Sequence, residues 1–144
     1  MPAKYQKITV TEKFLNEDPA SYFVYGDNMQ RKGLGGAAKL RNHPRAIGFI
    51  TKKAPAHESG ACFKPEEYAS IFFDQLRQLA EHVRNNPGVK FYISKLGSGL
   101  ANRYWIWERI ISHNLQDEFE DCDNVIFCWD RNEENLTSNE TSHI

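Results

Sequence analysis

The chain has 144 residues, 40% of them apolar and 26% charged, with a formal net charge of −1. That describes one ordinary globular domain and excludes an overall basic field that would gather nucleic acid or an anionic membrane surface. No apolar run reaches the length of a membrane span, the N-terminus has no signal-peptide core, and Cys62, Cys122 and Cys128 form no CxxC pair. A cytoplasmic monomer without metal or cofactor is therefore expected.

Residues 5–10 alternate weakly, as an edge strand does, and Asn16-Glu17-Asp18-Pro19 reads as a turn. Tyr22-Phe23-Val24-Tyr25 is a strand of aromatic and β-branched residues, ended by Gly26-Asp27-Asn28. A glycine loop follows, Gly33-Leu34-Gly35-Gly36-Ala37, opening a helix of small residues. Residues 46–51 form the next strand and lead into Lys52-Lys53-Ala54-Pro55. After a loop over residues 57–63, Pro65 with Glu66 and Glu67 makes a helix start. Tyr68, Phe72, Leu76, Leu79 and Val83 then line one face of about five turns. A turn at Asn85-Asn86-Pro87-Gly88 precedes a buried strand over residues 89–93. Beyond it comes Gly97-Ser98-Gly99, then a helix marked by Trp107, Ile110, Ile111 and Leu115. Residues 125–129 form the last strand. Residues 1–131 thus make one domain, and the polar, aperiodic stretch 132–144 is expected to be disordered.

Strands alternating with helices imply a three-layer α/β domain with helices on both faces of the sheet. Ligands in such sheets bind beyond the carboxyl ends of the strands. Three loops end strands, over residues 26–36, 51–55 and 95–102, and they converge on one crevice if the strands are parallel. Glycines there permit close backbone approach to a phosphate-bearing or nucleotide-like ligand; the plainer reading is strand-to-helix turns that need glycine for geometry.

Each candidate residue has two readings. Asp27 is a base or ribose acceptor and Asn28 a partner for a sugar hydroxyl, or the two form an Asx turn. Lys52 and Lys53 point to opposite sides, so one enters the crevice as a phosphate partner or nucleophile, or both are solvated. Ser98 is a phosphate ligand or a small turn residue, since G-x-S-x-G is absent. Trp105 and Trp107 are expected in the core, with stacking on a base as the alternative for one. The five histidines lack metal-ligand spacing; His57 sits near the crevice. The basic cluster Arg31, Lys32, Lys39, Arg41, Arg45 is the sole local argument for nucleic acid.

Taken together, Tyr25-Gly26-Asp27-Asn28 with the glycines at 33, 35 and 36, Ile50-Thr51-Lys52-Lys53, His57, the helix at Pro65, and Gly97-Ser98-Gly99-Leu100-Ala101 with Trp105 resemble the macrodomains. The likeness covers most of residues 20–130 and is nearest to the branch containing the terminal ADP-ribose protein glycohydrolase. It implies a three-layer α/β/α fold with a mixed, mostly parallel sheet that binds ADP-ribose or an ADP-ribosylated substrate. Gly33, Gly35, Gly36, Ala37 and the loop of Gly97, Ser98, Gly99 and Leu100 would hold the pyrophosphate, and Asn28 the distal ribose. Lys52 matches the nucleophilic lysine of that branch. Ala101 stands where the branch has its assisting Asp, leaving Asp27 as the acid or base to expect. The activity implied is removal of a group from the distal ribose: an ADP-ribosyl ester, a 1''-phosphate or an acetyl ester. The alternative is a module that binds the nucleotide without turnover. The adenine-binding acid of the family has no clear counterpart; Glu12 is the nearest.

Overall fold

The computed structural model describes residues 2–56 and 58–131, Ala37 by its backbone alone. Five strands form one sheet: β1 (Lys4–Tyr5), β2 (Ser21–Asn28), β3 (Ala46–Lys52), β4 (Lys90–Ile93) and β5 (Val125–Phe127), in the order β1-β5-β4-β2-β3. The strand pairings are all parallel. The antiparallel component expected of the sheet is thus reduced, among the described residues, to an isolated bridge between Lys52 and Cys62. The physical reason is connection length: each strand is followed by a crossover rather than a hairpin turn.

Three α-helices accompany the sheet: α1 (Glu12–Glu17), α2 (Pro65–Asn85) and α3 (Ser112–Phe119). The topology explains where they lie. From β1 to β2 to β3 the chain moves one way across the sheet; from β3 to β4 to β5 it moves back. Right-handed crossovers therefore put the two sets of connections on opposite faces. On one face Tyr68, Phe72 and Leu76 of α2 and Leu115 and Phe119 of α3 pack with Val24, Phe91, Ile93, Val125 and Phe127. On the other, Leu15 and Phe14 of α1 pack with Phe23, Tyr25, Tyr92 and Ile126.

The helical face expected of α2, from Tyr68 to Val83, is buried throughout, and the first turn carries Glu66 and Glu67 behind Pro65. The backbone N–H of Lys64 donates to Glu67 Oε1 at 3.1 Å, closing the helix entrance. Trp107, Ile110 and Ile111 are buried as the spacing predicts, but they lie on a π-helical turn, Trp107–Ile111, that runs into α3.

Three expectations need correction. The strand over residues 5–10 is only Lys4–Tyr5, and Glu12–Glu17 is a helix capped by Thr11, whose hydroxyl accepts from the Phe14 N–H at 3.1 Å. The glycine loop after β2 opens no α-helix: a single 3₁₀ turn, Gly36–Ala38, stands there. β2 itself continues through Gly26, Asp27 and Asn28 rather than ending before them. The expected tail, residues 132–144, and His57 lie outside the described residues. No helix among the described residues is long and apolar enough to cross a membrane.

Candidate functional site

β2 and β4 are neighbours in the sheet, yet the chain leaves them toward opposite faces. This is the topological switch point, where an open parallel sheet has its ligand crevice. The end of β3 closes in beside it. A Cβ on Gly26 would lie 3.2 Å from Thr51 Oγ1 and 3.9 Å from the Gly97 nitrogen, so β2, β3 and the loop after β4 meet there. The three loops expected to converge do so.

The first wall is the segment after β2. Asp27 is buried, and its carboxylate is fully engaged: it accepts from the Asn28 N–H at 2.8 Å, from Arg31 Nη1 at 3.1 Å and from Arg41 Nη2 at 2.6 Å. The hydrogen bond to Asp27 holds the Arg41 guanidinium above its ordinary pKa. Burial, and then the Asp27 charge, push the Tyr25 phenol up. Arg41 also donates to the carbonyls of Gly33 (2.8 Å) and Lys32 (3.0 Å), pinning the loop from outside. Asn28 forms the Asx turn: its Oδ1 accepts from the Gln30 N–H at 3.1 Å and its Nδ2 donates to Lys32 O at 2.9 Å. Both residues thus organise the wall. Gly33 and Gly36 adopt positive φ (93° and 54°), whereas Gly35 does not. All three are exposed on the rim.

The second wall is the end of β3. Lys52 is half-buried and pairs in register with Asn28 across a β-bulge. Its carbonyl accepts from the Met29 N–H at 2.9 Å, and no ion pair involves its ammonium among the described residues. Lys53 is committed elsewhere: its Nζ sits 2.7 Å from Glu67 Oε1 and 5.7 Å above the Phe63 ring. The two lysines therefore differ, as strand alternation requires.

The third wall is the loop after β4. Gly97 has φ +73°, and a Cβ there would come 2.7 Å from Ile111 Cδ1. Its glycine is needed for packing and backbone, not only for a ligand. Ser98 Oγ donates to Lys95 O at 2.7 Å. Gly99 has nothing within 4 Å of its missing Cβ. Leu100 points outward, its carbonyl 3.5 Å from the buried Cys62 Sγ, and Ala101 is buried. The helix does not begin directly after the glycines. Its N-terminal amide at Trp107 is capped by Asn102 Oδ1 at 2.9 Å, and Asn102 Nδ2 holds Glu108 at 2.8 Å. The Trp107 amide at the helix entrance thus already has a partner in the chain's own Asn102 side chain.

The large exposed hydrophobic side chains are concentrated here. Met29 (54% exposed) and Leu34 (55%) lie on the first loop, Leu100 (69%) and Trp105 (58%) on the third; Phe73 alone of this set lies elsewhere, on α2. The two non-glycine residues with positive φ among the described residues, Arg31 (53°) and Trp105 (68°), are on the same two loops. Trp105 is therefore not core, unlike Trp107, which is 2% exposed. The sequence does carry that signal: Trp105 falls two residues before Trp107, off the helical stripe of Trp107, Ile110 and Ile111. Arg41, the pin of the first loop, has no such signal, because its partners lie in different turns.

The basic cluster is largely spoken for. Arg31 and Arg41 pair with Asp27, and Arg45 donates to the carbonyls of Leu15 (2.6 Å), Asp18 (2.8 Å) and Ser21 (2.6 Å) around the end of α1. No group of three or more His, Cys, Asp or Glu suited to a metal occurs among the described residues.

Residues 5–103 match a family of unknown function (DUF7831). The chain belongs to that family. The matched span holds all three walls up to Arg103, with both glycine loops, Asp27, Asn28 and Lys52; Trp105, α3 and β5 follow it. No curated protein matches the chain.

Proposed function

We propose that this DUF7831 protein is a macrodomain-like module that binds ADP-ribose or a close derivative in the crevice between β2 and β4. The observation that carries the reading is the concentration of exposed apolar side chains and left-handed backbone on the two loops at the switch point. Folded proteins place strain and exposed hydrophobic surface where a ligand repays them. Gly33, Gly36 and Gly99 leave backbone accessible on both sides of the opening, as close approach to a pyrophosphate requires. The ordered resemblance of the loops to macrodomains supports the same ligand.

Calorimetry with ADP-ribose and with AMP tests it. Two opposed glycine walls favour the diphosphate, so ADP-ribose should bind at least tenfold more tightly. Equal affinity, or no heat with either, removes this reading.

A second reading, hydrolysis at the distal ribose, is favoured by one observation: Lys52 is half-buried with no ion pair among the described residues, while Lys53 is held by Glu67. Lys52, as the free amine, would attack the anomeric carbon and displace the linked carboxylate, which can take up the proton that the nitrogen sheds; water would then release the sugar and restore the amine. Turnover would be slow, since Ala101 supplies no acid and Asp27 is locked between two guanidiniums; general acid–base help is worth about 10²–10⁴-fold. Lys52→Ala should abolish release of ADP-ribose from a glutamate-linked substrate and Lys53→Ala should leave it nearly intact. Full activity in Lys52→Ala refutes the lysine mechanism.

A further inference from the structure

Trp105 is a large residue in an expensive position. Its φ of +68° belongs to the left-handed region, where glycine and asparagine sit without penalty and bulky L-residues do not. The conformation is imposed from both sides: the Trp105 N–H donates to Asn102 O at 3.2 Å and its carbonyl accepts from the Arg109 N–H at 2.9 Å. Asn102 is itself fixed by its bonds to the Trp107 N–H and to Glu108. Nothing in that turn calls for an indole. The ring gains little from the protein either: it is 58% exposed and makes no ring contact among the described residues. Arg31, the other left-handed residue, differs, because its guanidinium is fixed to Asp27.

A half-exposed indole that opposes the backbone and makes no ring contact among the described residues is explained if it packs on a ligand. We propose that Trp105 is the stacking platform for the nucleobase of the bound nucleotide, held rigid by the Asn102 turn. A flat base on an indole face is the chemistry that such a surface offers, and Leu100, five residues earlier on the same loop, is a further exposed apolar side chain. The proposal rests on the reading of the crevice as a nucleotide site and assigns the part of the ligand that Trp105 reads.

The test compares wild type with Trp105→Gly, Trp105→Asn and Trp105→Phe, titrated with ADP-ribose and with ribose 5-phosphate, and melted without ligand. Glycine and asparagine suit the backbone, so both variants should melt at or above the wild-type temperature while losing at least tenfold in affinity for ADP-ribose. Affinity for ribose 5-phosphate, which has no base, should stay within twofold. Trp105→Phe should fall between. Since Trp107 and Trp129 are each 2% exposed, the solvent-exposed part of the tryptophan emission belongs to Trp105, and ADP-ribose should quench it. ADP-ribose binding within twofold of wild type in Trp105→Gly overturns the assignment alone, as does equal loss with both ligands. No binding of ADP-ribose by wild type overturns the crevice reading, and this inference with it.

Discussion

Gly97 and Gly99 stand two residues apart and answer to different forces. Gly97 combines a left-handed φ with a missing Cβ that would strike Ile111. Gly97→Ala should therefore destabilise the fold by about 2 kcal/mol or more, from backbone strain and overpacking together. Gly99 faces open space with ordinary φ, so Gly99→Val should change stability by under about 0.5 kcal/mol. Any loss of ADP-ribose affinity in Gly99→Val is then a contact effect; urea unfolding and calorimetry on the same samples separate the two. Asp27 gives a second contrast. As an acid or base it would be dispensable to folding. As the partner of Arg31 and the largely buried Arg41 it is not. Asp27→Ala leaves Arg41 without its carboxylate and should lower stability by about 3 kcal/mol. A variant as stable as wild type would return Asp27 to the list of reacting groups.

Among the elements, α2 serves the edge of the sheet as well as the core. Gln75 treats β3 as a neighbouring strand would: its Oε1 accepts from the Ile50 N–H at 2.6 Å and its Nε2 donates to Ile50 O at 3.1 Å. The Tyr68 hydroxyl donates to the same carbonyl at 2.5 Å, so an edge that invites pairing with another chain is partly covered. At its first turn α2 is tied to the β3 end through Glu67 and Lys53. That hydrogen bond, with a second from the Lys64 N–H, holds the Glu67 carboxyl below its ordinary value of 4.5. A folded pKa below the unfolded one contributes stability above about pH 4.5 that is lost as pH falls through the lower folded value. Melting temperature should thus drop between pH 5 and pH 3, as for any chain with paired carboxylates, and less steeply in Lys53→Ala. The same drop in both would mean the pair is too solvated to matter.

At the scale of the whole molecule, what could be read from the sequence was set by apolar patterning. The stripes from Tyr68 to Val83 and from Trp107 to Leu115 lie in the core as their spacing requires, and the runs at residues 22–25 and 46–51 lie in strands, while that at 89–93 is a strand only from Lys90 and that at 125–129 only as far as Phe127. The convergence of three loops follows from their parallel order. What could not be read rests on polar geometry. The 29–45 connection lacks a helix because Asn28 and Arg41 pin its backbone, and α1 is too short for a helical period to register. In the site, Asp27 and Asn28 are chemically suited to a ligand, and only three-dimensional proximity to Arg31, Arg41 and Lys32 commits them to the chain itself. Trp105 is the converse case: an indole expected inside stands outside.

The two faces of the sheet are held by different physics. One carries a continuous apolar cluster under α2 and α3, the other the short α1 and a connection fastened by guanidinium and Asx hydrogen bonds. Bonds of the second kind break singly and locally, and of the connection only Ala38 and Leu40 are placed in the smaller apolar cluster of that face. In native-state hydrogen exchange, amides across residues 29–45 should open by small fluctuations insensitive to denaturant, while those of Phe91, Tyr92 and Ile93 should exchange only through global unfolding. Uniform protection across both sets would mean the pins are as strong as the core. If the gradient is found, the mouth of the crevice is the part of this protein that breathes, and a ligand that bridges its walls should slow exchange there first.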